Sequence, residues 1–379
     1  MRAYTLLLAA ALLTAACGGG PDDPSQQSRD PAVRGPWGVG VTTYTITDPA
    51  DATRVFKVEV WYPATPTAGA PLDKVFNITT TSVRDAPADL RGAPFPAVAF
   101  SHGNCGIRTQ SLYLTEHLAS HGYVVVAPDH LLNTLWDNDP DFIADVMRHR
   151  PRDVSLALDE VLRHGAAAGD PLAGMADEAR VGAAGHSFGG FTVLLLAGAA
   201  MDLQSYAADC APTPDSLFCR GANGTITAAD VAGFADARIL ATLSLAPGGR
   251  VAFGPAGLAE LRGPIQVQAG TLDTMCPLET EAGPIYDGLP APKVMAEFAD
   301  AAHFSFTDIC PLYDLMGGAD GPLDFLATEG CGPNTVPVAD AQAASRTLGV
   351  AFFDLHLRGL ADEAGYLDPA RGVAGVTLR

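Results

Sequence analysis

The chain has 379 residues, 48% of them hydrophobic, enough to build a sizeable core in one large domain or two small ones. Its 23 Lys and Arg stand against 43 Asp and Glu, a formal net charge of −20 that repels phosphate backbones, so nucleic-acid binding is not expected. No apolar run reaches the ~18–20 residues that a membrane-crossing helix needs.

The N-terminus reads as an address rather than as part of a fold. Arg2 precedes an apolar stretch, Thr5–Ala16, that is too short for a span and suits a signal-peptide core. Leu13-Thr14-Ala15-Ala16-Cys17, followed by three glycines, resembles a bacterial lipoprotein cleavage site. Residues 1–16 are therefore expected to be a signal peptide, Cys17 the lipidated residue, and 17–36 a flexible tether. Export to the cell envelope on a lipid anchor follows, with simple secretion as the alternative.

Two alternating segments, Val39–Thr47 and Arg54–Trp61, open the globular part and predict an antiparallel hairpin. Short apolar runs without alternation come next: Ala97–Phe100, Tyr123–Ala127, Arg180–Ala184, Ile239–Leu245, Ile265–Gln268 and Val294–Phe298. Strands buried on both faces read this way, as in a parallel sheet. Helical spacing appears in Asp153–Arg163 and again in Gln342–Leu357. The alternation predicts a mostly parallel, doubly wound α/β sheet in one domain over 37–362, with 363–379 as a C-terminal tail. Two long segments break the rhythm, 131–150 and 201–237. Such insertions at strand ends cover ligand crevices, and 201–237 is expected to be a lid.

The chemistry gathers around Gly185-His186-Ser187-Phe188-Gly189, a G-x-S-x-G string between a strand and an apolar helix. A turn that tight needs Gly185 and Gly189 to lack side chains, and it pushes Ser187 out above the sheet. A serine hydroxyl attacks only with a base to take its proton. In this architecture the order along the chain is Ser, acid, His. Of the two histidines after Ser187, His356 lies within the last helix, whereas His303 follows a strand in a loop and is the expected base. The acid belongs at the end of the preceding strand, where Asp273 stands; Asp300 is the alternative. Glu279 and Glu281 read as first-turn helix acids. The expected oxyanion donors are the backbone N–H groups of Phe188 and of Asn104, in the loop Ser101-His102-Gly103-Asn104-Cys105. His102 is expected to be structural, and His117 and His121, four apart, to mark a solvated helix end rather than a metal pair. No metal and no cofactor are required.

Cys17 aside, six cysteines remain, an even number that favours disulfides in an exported chain. Cys210 and Cys219 are close in sequence and expected to pair. A Cys276–Cys310 bridge would clip the Asp273 loop to the His303 loop, which leaves Cys105 for Cys331.

The runs AFSHGNCGIRTQSLYLTEHLASHGYVVVAPDH (99–130), RPRDVSLALDEVL (150–162), GHSFGG (185–190), GTLDTMCP (270–277) and HFSFTDIC (303–310) resemble bacterial platelet-activating factor acetylhydrolase-like esterases, a group placed with predicted dienelactone hydrolases. The resemblance implies an α/β-hydrolase fold with Ser187 as nucleophile, Asp273 as acid, His303 as base, and Asn104 and Phe188 as oxyanion amides. The chain departs from the pattern in three places. Ser187 stands where dienelactone hydrolases proper carry Cys, Asn104 and Cys105 follow the His-Gly pair where an apolar residue is common, and 201–237 has no match. The expected activity is hydrolysis of carboxylic esters through an acyl-serine, on short-chain acyl or phospholipid acetyl esters. A cutinase-like polyester hydrolase is the alternative within the architecture. An amidase or peptidase on the same scaffold and a non-catalytic surface-binding lipoprotein are the alternatives outside it. The partner is a small-molecule or lipid ester, with the membrane met only through the anchor.

Overall fold

The computed structural model describes residues 23–379 apart from 28, 77 and 255. The signal peptide expected over 1–16, Cys17 and the first part of the tether lie outside the described residues. From Pro31 onward the expected tether is fastened down: the Nε2–H groups of His117 and His121 donate to the carbonyls of Pro31 (3.0 Å) and Val33 (2.9 Å). Gly35 N–H donates to Ser120 Oγ at 3.0 Å. The two histidines are thus buried against this segment and not solvated, which corrects that expectation.

The hairpin forms as anticipated, from β1 (Gly38–Asp48) and β2 (Asp51–Ala64). A small hairpin, β3 (Lys74–Val75) with β4 (Ile78–Thr79), and an edge strand, β5 (Val83–Arg84), follow it. The apolar runs become β6 (Phe95–Ser101), β7 (Val124–Pro128), β8 (Ala176–His186), β9 (Ile239–Leu245), β10 (Ile265–Gly270) and β11 (Lys293–Phe298). All six are parallel to their neighbours among themselves. Residues 363–379, read as a tail, add an antiparallel edge strand, β12 (Val376–Leu378). The sheet order is β12-β11-β10-β9-β8-β6-β7-β2-β1-β5.

Both faces of this sheet are covered, which is why its strands lack alternation. In β7, Val124 and Val126 join one core while Val125 and Ala127 join the other. One face carries α1 (Leu112–Ser120) and α8 (Val338–Arg358) through Leu114, Leu118, Leu348 and Phe352. The other carries α2 (Ile143–Ala166) and α3 (Phe188–Leu196) through Val154, Leu158, Val161 and Val193. Helix α2 begins ten residues before the stretch read as helical and runs through Pro151. Burial of Ile143, Val146, Met147 and Arg150 extends its inner face upstream, so half of the segment 131–150 is helix rather than lid. Among the described residues no helix is long and apolar enough to cross a membrane.

The segment 201–237 folds as α4 (Leu203–Cys210) and α5 (Ala228–Ala232), joined by a loop that the Cys210–Cys219 disulfide ties off. The second disulfide is Cys310–Cys331, not Cys276–Cys310. Cys276 is buried under the site and Cys105 is exposed, both unpaired, so the expected Cys105–Cys331 bridge is absent as well. The observed bond instead fastens α7 (Cys310–Leu315) to the loop at Cys331; α6 (Ala282–Gly288) lies just downstream of the Asp273 loop. The architecture is an α/β-hydrolase fold.

Candidate active site

Every residue singled out for chemistry stands beyond the carboxyl ends of adjacent parallel strands, the edge at which open α/β sheets bind ligands. β8 delivers Ser187, β10 Asp273, β11 His303 and β6 the loop with Asn104.

Ser187 adopts φ 57° and ψ −116°, a left-handed backbone that a side chain rarely tolerates. The two glycines of its motif allow it. A Cβ on Gly185 would run into the Gly189 carbonyl, and one on Gly189 into the Ser101 carbonyl at the end of β6. The helix therefore starts hard against the sheet. Phe188, its first residue, has no carbonyl one turn back within the helix for its N–H.

His303 and Asp273 meet as the chain order requires. His303 Nδ1–H donates to Asp273 Oδ2 at 2.8 Å, and both side chains are buried. Asp273 Oδ1 accepts the N–H groups of Met275 (2.9 Å) and Cys276 (2.7 Å), which fix the carboxylate. This leaves Nε2 of His303 for the cavity that Ser187 also lines. Asp300, the alternative acid, is exposed, and its N–H caps Thr271 Oγ1 at 2.9 Å. Ser187 and His303 make no direct hydrogen bond among the described residues, though both line the same cavity.

Sequence reasoning passed over three residues that hold this arrangement. His186 donates from Nε2 to the His303 carbonyl (2.9 Å) and accepts at Nδ1 from Gln110 Nε2 (3.0 Å). Gln110 Oε1 in turn accepts Gly103 N–H at 2.9 Å. One amide and one imidazole thus couple the His303 loop, the Ser187 turn and the Gly103–Asn104 loop. Burial pushes the His186 pKa well down, which keeps the ring neutral and its tautomer fixed.

Arg150 is the third. It is fully buried on the inner face of α2 and donates to Thr192 Oγ1 (3.0 Å), Asn133 Oδ1 (2.5 Å), Ser101 Oγ (3.1 Å) and the His102 carbonyl. Its guanidinium also lies 4.6 Å from the centre of the Phe188 ring. Asn133 passes the contact on, donating to Asn104 Oδ1 at 2.7 Å. Burial pulls the Arg150 pKa down. The nearby carboxylate, Asp153, is engaged by Arg54 (2.7 Å) and His130 (3.1 Å).

Glu281, read as a first-turn helix acid, instead stands just before α6, lines the cavity and accepts Arg250 N–H (2.9 Å); burial raises its pKa. His102 is structural as expected. Its Nδ1–H donates to the Gly103 carbonyl (2.8 Å) and its Nε2 accepts His130 N–H (3.1 Å). The described residues hold no cluster able to bind a metal.

The cavity, of about 400 Å³, lies between Ser187, His303 and the Thr213–Cys219 loop, so the segment 201–237 supplies one of its walls. Phe218 anchors that wall, its ring 5.1 Å from Phe188 and 5.5 Å from Phe191.

Sheet order gives the α/β-hydrolase fold, and the strained serine and the imidazole–carboxylate pair face one cavity at the carboxyl edge of its sheet. A PET hydrolase-like family model matches residues 86–229, which takes in the oxyanion loop and Ser187 and ends before Asp273. Cutinase 2 of Thermobifida cellulosilytica is 27% identical over 213 residues, 56% of this chain and 61% of that protein. Cutinase est2 of Thermobifida alba is 35% identical over 111 residues, 29% of this chain and 33% of that protein. The chain thus spans less than two thirds of the length of these relatives. A solved ferulic acid esterase from Streptomyces cinnamoneus shares the fold, with a TM-score of 0.59 at 24% identity over 85% of this chain and 90% of that one.

Proposed function

We propose that this chain hydrolyses carboxylic esters through an acyl-Ser187 intermediate. His303 Nε2 takes the Ser187 proton as Oγ attacks the carbonyl carbon, and Asp273 steadies the imidazolium from the other nitrogen. The N–H groups of Asn104 and Phe188 receive the oxyanion, each donor being worth about 3 kcal/mol in such sites. His303 then protonates the departing alkoxide, and water attacks the acyl group by the reverse route. The observation that carries this reading is the 2.8 Å His303–Asp273 bond on the wall of the cavity that the strained Ser187 enters.

The test is turnover of a short-chain nitrophenyl ester by Ser187→Ala. Activity should vanish with the circular dichroism spectrum unchanged, and a fluorophosphonate should label the parent chain at Ser187. Retained turnover refutes the assignment, and failure to label favours a non-catalytic surface protein.

For the substrate, the sequence resemblance implies short-chain acyl and phospholipid acetyl esters, a preference that the apolar space described below sets aside in favour of longer acyl chains. The PET hydrolase-like match and the cutinase relatives favour a cutinase-like polyester hydrolase as the second reading. Acetyl-phospholipid against polyester film separates the two. We also place the chain outside the cytoplasm, anchored through Cys17, on the N-terminal pattern and the two disulfides.

A further inference from the structure

A second, apolar space of about 100 Å³ opens beside the site cavity, and Asn104, Gln110 and Phe304 line both. Its walls come from elements that the mechanism does not use: Phe76 beside the β3–β4 hairpin, Ile107 and Leu112 around the start of α1, Leu135, and Ile309 and Leu312 at α7. Phe76 and Leu135 leave 40% and 46% of their surface open at its rim. Its main polar side chains are already committed. Gln110 serves Gly103 and His186, Asp308 accepts Tyr113 N–H (2.9 Å), and Thr307 Oγ1 donates to the Phe304 carbonyl (3.0 Å). What enters therefore finds apolar walls and few free partners, the setting in which burial of hydrocarbon drives binding.

We infer that this space is the acyl pocket, and that the chain prefers esters of an extended apolar acid over acetyl esters. The inference rests on the serine-esterase reading of the site and names its substrate class. The geometry of the two steps assigns the arms. The alkoxide must leave, and water must arrive, on the side facing His303 Nε2. That side needs the wetter cavity bounded by Thr213, Ser216 and Glu281. The acyl group stays bonded to Ser187 Oγ throughout and is held best where water is excluded, past Asn104 in the apolar arm.

The experiment is a series of nitrophenyl esters from acetyl to decanoyl, run beside acetate esters of alcohols of rising length. In the acyl series kcat/KM should climb about fourfold per added CH₂, the transfer value of a methylene, until the pocket is full. The alcohol series should stay flat. Filling the space with Ile309→Trp should cut the octanoyl-to-acetyl ratio by roughly fifteenfold, two methylenes' worth. Leu312→Trp provides the same test should the first variant not fold. A flat acyl series, a climb in the alcohol series, or a ratio unmoved in a folded variant overturns the pocket assignment. Those results leave the esterase reading standing so long as fluorophosphonate still labels Ser187. Loss of labelling and of all ester turnover in the parent chain brings down the reading beneath it instead.

Discussion

Arg150 offers the sharpest test of how the oxyanion loop is held. Replacing it by Met keeps much of the volume and removes four donated hydrogen bonds at once. Each buried acceptor left unpaired costs about 1–3 kcal/mol. Against this stands the relief of no longer burying a guanidinium whose nearby carboxylate serves other partners. The net loss of stability should be about 2–4 kcal/mol, smaller than the sum of the bonds. The larger effect is on the reaction. The His102 carbonyl and, through Asn133, the Asn104 side chain lose their anchor, while the Phe188 ring loses the cation over it. Misplacing one oxyanion donor should lower kcat by about 10²-fold. KM should change little, because the donor is used in the transition state. The assay is kcat and KM on a short-chain ester at a temperature where circular dichroism finds the variant folded. Asn133→Ala, which removes the links to Asn104, Asn138 and Arg150 but leaves the His102 carbonyl held, should give a smaller loss of kcat in the same direction. A folded Arg150→Met with unchanged kcat would refute this positioning role.

Three further outcomes follow from the same coordinates. Peptide mapping without reductant should recover Cys210–Cys219 and Cys310–Cys331, with Cys276 protected from thiol reagents until the chain unfolds; a Cys276–Cys310 peptide would contradict the fold of this region. Burial pushes the Asp308 carboxyl up to about 7, so the folded chain holds that proton where the unfolded chain has lost it. Its contribution to stability is therefore full below about pH 4 and declines as pH rises through 7. Asp308→Asn, always neutral, should gain Tm over the parent at pH 8 and not at pH 4; equal differences at both would refute the assignment. Finally, Gly189→Ala must push its Cβ into the Ser101 carbonyl, so it should destabilise by about 2 kcal/mol or more and cost activity, in contrast to Ala at an open glycine such as Gly165.

The strands, the serine turn and the order of acid and base were legible because each obeys a one-dimensional rule. A doubly buried strand loses alternation, and a strand-to-helix turn around a strained serine demands small residues at fixed offsets. Proximity in sequence gave Cys210–Cys219, but the second disulfide obeyed no such rule. Cys276 and Cys310 sit on neighbouring loops, yet pairing depends on where each side chain points. Arg150 did leave a trace. Positions 143, 147, 150, 154, 158 and 161 form one helical stripe, and a single cation on an otherwise apolar face announces a buried charge with a task. Pro151 beside it concealed the stripe by suggesting that the helix began later. Gln110 and Glu281 carry no pattern. They matter through contacts across 76 and 31 residues of chain, to His186 and Arg250.

Two nucleophilic side chains share this cavity, and their surroundings decide between them. The Cys276 thiol faces the Ser187 hydroxyl, and thiolates attack esters well when they form. Here burial, and then the charges of Asp273 and Glu281, push the thiol pKa well above its ordinary value. The Asp273 carboxylate that prepares His303 therefore also keeps the neighbouring sulfur protonated. On the proposed mechanism Ser187 is favoured because His303 would take its proton and the oxyanion formed from the ester carbonyl would lie near the start of α3. Consequently iodoacetamide at pH 8 should leave ester turnover intact in a Cys105→Ser background, in which the exposed thiol is gone. Inactivation as fast as that by a fluorophosphonate, with the label found on Cys276, would mean that the sulfur is ionised and that the electrostatics of the acid loop have been read with the wrong sign.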